Sequence, residues 1–180
     1  MTGPTTRPMI GKVYGIPPQP PVEENTRHFP AGAITFGVEY RDLDPESLVA
    51  TYQDNPEYLA ELLAKSPEGG FTDEGVTIHV FDAHDGHEYL RFDVFDDEPH
   101  YHYIHRTIDD TVVNNVIDFD TVAHGDMFPW TFERLHGHLA PMLTQAGGAA
   151  LAERLDDNLV ERVLADVEAC AAGVRSGARA

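Results

Sequence analysis

The stretch GVTIHVFDAHDGHEYLRFDVFDDEPHYHYIHRTIDDTVVNNVIDF, residues 75–119, decides the fold class. It contains four runs rich in β-branched and aromatic residues, VTIHVF, EYLRFDVF, HYHYIHRT and TVVNNVIDF, each followed by a short polar connection. Connections this short join antiparallel strands, because parallel neighbours need a crossover of about a dozen residues or more. The stretch therefore predicts a four-stranded meander.

Connection lengths also suggest a register. An Asp85-Gly86 turn would put His79 opposite Phe92 and Val80 opposite Arg91. A loop over Asp96–Pro99 would put Asp93 opposite His102, with Phe92 opposite Tyr103, and an Asp109-Asp110 turn would pair His105 with Asn114 and Tyr101 with Asp118. One face then carries His79, Tyr101, Tyr103, His105, Asn114 and Asp118 among Phe81, Phe92 and Val116, and the other carries Arg91, Asp93, His100 and His102. On this register neither face is purely apolar.

Upstream, AITFGVEY at 33–40 reads as a fifth strand. Asp44 before Pro45 and Asn55 before Pro56 each place a capping side chain ahead of a first-turn proline, so two helices follow. Leu59, Leu62 and Leu63 give the second an apolar stripe, and SPEGG at 66–70 stops it. Downstream, Asp126 caps a helix through Trp130, Leu135, Leu139, Met142 and Leu143, with a kink or break expected at Pro141. Asn158 with Glu161 resembles a capping box opening a helix that carries Leu159, Val163, Leu164 and Val167 and ends at Gly173. This order predicts an α+β domain: an antiparallel β-meander of about five strands packed against N-terminal and C-terminal helices. At the level of element order it resembles helix-grip folds, which hold a ligand between the sheet and the last helix.

Seven of the 13 prolines fall within the first 30 residues, and residues 1–31 carry a charge of +1 in an otherwise acidic chain. They read as a proline-rich extended arm lying across its own domain or a partner subunit, a route to a homo-oligomer. Residues 32–173 read as one α+β domain and 174–180 as a flexible tail. The whole chain has 180 residues and a net charge of -19, which disfavours nucleic acid and anionic membrane as partners. A single cysteine, Cys170, excludes an internal disulfide or a multi-cysteine zinc site and reads as a packing residue. No apolar run approaches the roughly 20 residues of a membrane span, and the expected compartment is the cytoplasm. Glycine-rich phosphate loops are absent, and Ser47, Ser66 and Ser176 lack a nucleophile-elbow context.

Chemistry concentrates in PHYHYIH, residues 99–105. His100 and His102, two apart on a strand, project to one side, and Asp93 on the neighbouring strand completes two imidazoles and a carboxylate. That set suits a divalent iron, zinc or manganese ion with positions left open for water, dioxygen or a carbonyl oxygen, hence a metal-dependent oxidoreductase, hydrolase or lyase of a small molecule. The run is not a cupin signature, since no Glu follows His102 at the expected distance. Arg91 would orient an anionic substrate group, and Tyr103 or His105 would shuttle protons. Two alternatives stand. One is a metal-free isomerase, cyclase or dehydratase using His79, Tyr101, Tyr103, His105, Asn114 and Asp118 as an acid/base pocket. The other is a non-enzymatic acidic binding or accessory protein. Glu133 and His136 share a helical face, as do Trp130, Arg134 and His138, which either meet the sheet and bind an anion through Arg134 or form a solvated face.

Overall fold

In the computed structural model, residues 10–66, 70–106 and 111–178 are described. Six strands run antiparallel in chain order: β2 (Arg27–Ala31), β3 (Ile34–Leu43), β4 (Asp73–Asp82), β5 (Glu88–Phe95), β6 (His100–Arg106) and β7 (Val112–Asp118). β1 (Lys12–Tyr14) adds to the free edge of β7, so the sheet reads β1-β7-β6-β5-β4-β3-β2. The helices are α1 (Pro45–Tyr52), α2 (Pro56–Lys65), α3 (Thr121–His124), α4 (Met127–Gln145), α5 (Ala149–Ala152) and α6 (Asp157–Ala178). The fold is α+β, with seven antiparallel strands among the described residues rather than about five. Both additional strands come from the segment read as an arm. They escape a propensity reading because one has three residues and the other carries Pro30, which only an edge strand tolerates well. No helix among the described residues is long and apolar enough to cross a membrane.

The helix starts follow the capping chemistry. The Asp44 side chain accepts from the backbone N–H groups of Glu46 and Ser47, Asn55 accepts from Tyr58, and Asp126 accepts from Phe128. α6 is capped by Asp156, which accepts from Leu159, rather than by Asn158 in the expected capping box. It also runs past Gly173 to Ala178, where an end and a flexible tail were expected; Gly173 is exposed and does not take the positive φ of a helix-ending glycine. Exposed Pro141 sits inside α4, which continues four residues beyond it instead of breaking. The expected turn at Asp109-Asp110 and most of the expected stop at 66–70 lie outside the described residues.

The register differs from expectation in an informative way. His79 faces Arg91 and Ile78 faces Phe92, one residue from the expected pairing, because the hairpin is longer than two residues and a bulge falls between Val80 and Phe81. Asp93 faces His100 and Arg91 faces His102, a shift of two that leaves the faces unchanged. Between β6 and β7 the shift is again one, pairing His105 with Val113 and Tyr101 with Ile117. Because side chains alternate along a strand, each one-residue shift exchanges faces. The real sheet consequently separates its chemistry cleanly. One face presents Phe36, Val38, Ile78, Val80, Leu90 and Phe92 to α4 and α6 as the core. The other presents Glu39, Arg41, Thr77, His79, Arg91, Asp93, His102 and Asn114, all buried.

The cover over the polar face is the chain between β1 and β2. It crosses the sheet from one edge to the other as a proline strap, residues 16–22, helped by α1 and α2. Gly11, at φ 80°, lets β1 dock, since a Cβ there would collide with the Val116 carbonyl oxygen. Prolines offer carbonyl acceptors without N–H donors, which matches what lies beneath. Arg91 Nη1 donates to the Gln19 carbonyl at 2.8 Å, Arg41 Nη1 to the same oxygen at 3.3 Å, and the Tyr52 hydroxyl to the Pro17 carbonyl at 2.9 Å. Val22 N–H closes the strap by donating to Glu39 at 3.1 Å.

Candidate metal centre

Strands β5 and β6 carry the three residues that converge. Asp93, His100 and His102 place one ligand atom each within 4.8 Å of one another. His102 Nε2 lies 2.9 Å and His100 Nε2 3.3 Å from the same oxygen, Asp93 Oδ2. The second carboxylate oxygen is held by the Thr77 hydroxyl, which donates to Oδ1 at 2.6 Å.

The far sides of both imidazoles are fixed. His100 Nδ1 donates to the Glu98 carbonyl oxygen at 2.7 Å, and His102 Nδ1 to Asn114 Oδ1 at 2.7 Å. A neutral imidazole so committed turns its Nε2 lone pair toward the carboxylate. Two lone pairs aimed at one carboxylate oxygen repel unless a proton or a metal ion lies between them, and metal-binding histidines are oriented in this way by acceptors behind the ring. Burial alone would push the Asp93 carboxyl up, but hydrogen bonds and charge from His100 and His102 outweigh it and hold Asp93 well below the usual carboxylate range. Burial keeps His102 below the ordinary histidine value, whereas for His100 the hydrogen bond and attraction to Asp93 overcome burial and raise it. The group is anionic at its centre.

Beside it runs a second buried network. His79 Nδ1 lies 2.6 Å from Glu88 and Nε2 3.2 Å from Glu39. Arg91 grips Glu88 through Nε at 2.8 Å and Nη2 at 2.6 Å. The bulge at Val80/Phe81 turns Glu88 onto this face, an example of such an irregularity re-aiming a side chain. Gly37 leaves room for it: a Cβ there would lie 3.0 Å from the Phe81 ring and 3.3 Å from His79 Cβ.

A cavity of about 410 Å³ opens over the cluster, bounded by Ile16 and Gln19 of the strap, Tyr52 and Leu62 of α1 and α2, and Val116 of β7. That volume fits a small molecule. Arg41, Arg91, Asp118 and the three cluster residues also line it. It lies on the face away from α6, so a ligand here is not held between the sheet and the last helix.

The residues anticipated from the sequence distribute over both faces. Asp93, His100 and His102 meet, with Arg91 on the same face. Tyr101, Tyr103 and His105 project to the helix side, where backbone separates Tyr103 and His105 from the cavity they were expected to serve with protons. His79, Asn114 and Asp118 lie on the polar face, so the six residues of the anticipated acid/base pocket do not share a pocket; the one-residue register shifts had merged them. Asp118 faces His100 across the strand pair and lies 3.6 Å from Lys12. Of the helical pairs, Glu133 binds Arg134, and His136 reaches Glu161 at 2.7 Å. Glu39, Arg41 and Glu88 were not anticipated. For Glu39 and Arg41 the signal is charged residues two apart following the largely apolar ITFGV of β3.

Comparison with known proteins adds a family. The model for Domain of unknown function (DUF7700) matches residues 28–171, and the chain belongs to this family. No curated protein and no solved structure matches the chain.

Proposed function

We propose that this member of the DUF7700 family holds one divalent metal ion on Asp93, His100 and His102 and is a metal-dependent enzyme acting on a small anionic molecule. The observation that carries the reading is the convergence of two Nε2 atoms on Asp93 Oδ2 while both Nδ1 atoms are committed to carbonyl oxygens. Two imidazoles and a carboxylate suit iron(II), zinc or manganese. Such an ion with three protein ligands supplies Lewis acidity and open positions for water, dioxygen or a carbonyl oxygen, consistent with oxidoreductase, hydrolase or lyase chemistry.

The chain's own residues do the rest. Thr77 and Asn114 orient the ligands. Arg91 is saturated by Glu88 and the Gln19 carbonyl, so it holds the strap. Arg41 receives the anionic group, because its strap acceptors are neutral oxygens at 3.0–3.5 Å and its ion pair with Glu39 is long, at 3.4 Å.

The test is metal content of untagged protein purified without chelator, by inductively coupled plasma mass spectrometry. About one iron, zinc or manganese per chain is expected, lost in His102→Ala and kept in Arg41→Gln. Full metal content in a His100→Ala/His102→Ala double variant would overturn the reading, as would failure of the purified protein to take up any of the three metals.

A further inference from the structure

The helix side of the sheet is not evenly covered. α6 lies on β2, β3 and β4 and α4 on β5 and β6, while toward the β7–β1 edge Val13 and Ile10 are exposed. Between β6 and α4 the surface opens into a groove of about 390 Å³, lined by Tyr101, Tyr103, Trp130, Arg134, His138 and Met142. It is on the opposite side of the sheet from the metal centre and shares no lining residue with that cavity.

The groove has an aromatic wall and one cationic donor that is poorly satisfied. Tyr101 and Trp130 rings lie 5.3 Å apart, Tyr101 and Tyr103 rings 5.7 Å, and the Arg134 guanidinium sits 5.5 Å from the centre of the Trp130 ring. Arg134 Nε is buried without a hydrogen-bond partner, and the guanidinium's ion pair is with Glu133, its exposed neighbour in sequence. Such a donor is unfavourable in a folded protein unless something completes it. The Tyr101 and Tyr103 hydroxyls have no partner among the described residues, and burial pushes Tyr103 up to about 12, which keeps it a neutral O–H donor. The groove therefore offers flat apolar contact, a guanidinium and two hydroxyl donors, with no carboxylate among its lining residues. In a chain of net charge -19, that is where an organic anion is accepted rather than repelled.

We infer that this groove is a second binding site, for a small planar aromatic molecule bearing one acidic group. The ring packs on Trp130 and Tyr101. The acid pairs with Arg134, whose long side chain rotates away from Glu133 to present Nε and an Nη side by side, the fork a carboxylate accepts.

Trp130 is the sole tryptophan of the chain, so its emission reports on the groove directly. The experiment follows energy transfer from Trp130 to 8-anilinonaphthalene-1-sulfonate and displaces that probe with benzoate and with its neutral analogue benzamide. Saturable transfer is expected, with displacement by benzoate at concentrations where benzamide has little effect. Arg134→Gln should weaken benzoate about tenfold and Arg134→Lys less, with circular dichroism unchanged in both. His102→Ala should bind as the parent does. Absence of transfer, equal displacement by the two competitors, or unaltered benzoate affinity in well-folded Arg134→Gln would each overturn the proposal.

Discussion

Asn114 shows what a single side chain contributes when it touches no substrate. Its Oδ1 accepts from His102 Nδ1 and thereby sets which nitrogen faces Asp93. Acceptors behind a ligating histidine are commonly worth about 10–100-fold in metal affinity. Asn114→Ala should therefore weaken binding by roughly that factor while the ligands stay in place, as read by competition with a chromogenic chelator; parent affinity would remove the orienting role. His79 makes a different prediction. Burial opposes its charge, but Glu88 and Glu39 outweigh burial and raise it above 6.5. A raised histidine contributes stability that is fully present below its unfolded value and is lost as pH rises through the folded one. The melting temperature of the parent should thus fall on the alkaline side of about pH 6.5 relative to His79→Gln, and a gap constant with pH would refute the coupling. At this scale the sequence was partly legible. Two histidines two apart on a strand with a neighbouring aspartate can be read from spacing, but Asn114 cannot, because its contact depends on a register that the turn sequences leave open.

At the scale of elements, the strands and the helix starts follow from local chemistry and the pairing does not. β-branched runs and Asx-Pro caps are properties of a few adjacent residues. The bulge at Val80/Phe81 and the longer hairpin beyond it are settled by packing of Phe81 on His79, whose rings stack at 5.4 Å, and by the demand of Arg91 for Glu88. A shift of one residue there separates Arg91 and His79 onto opposite faces. The strap was illegible for a related reason: its prolines exclude ladder pairing, yet the carbonyl of Gln19 between them is the acceptor that two buried arginines share. Replacing Arg91 by Leu leaves buried Glu88 with His79 as its remaining partner and should cost about 3–5 kcal/mol in urea denaturation. Glu88→Gln/Arg91→Leu should recover part of that loss; a single variant as stable as the parent would show that the pair is not needed. Removing the α1 cap with Asp44→Ala should cost about 1 kcal/mol by the same assay.

For the whole molecule, the dominant fact is that both faces of the sheet are buried, one by apolar helices and one by a strap over paired charges. With a formal net charge of -19, self-repulsion works against the compact state. Raising sodium chloride from about 0.01 to about 0.5 M shortens the screening length several-fold and should raise the melting temperature, whereas a flat or falling trend would mean that the acidic surface is already compensated. The strap has one more consequence, for the order in which the protein can be made. β1 pairs with β7, Lys12 against Val116, so during vectorial synthesis its residues leave the ribosome roughly a hundred positions before their partners exist. Until then β1 has no edge to pair with, so the upstream anchor of the strap is the last part of the polar cover that can form.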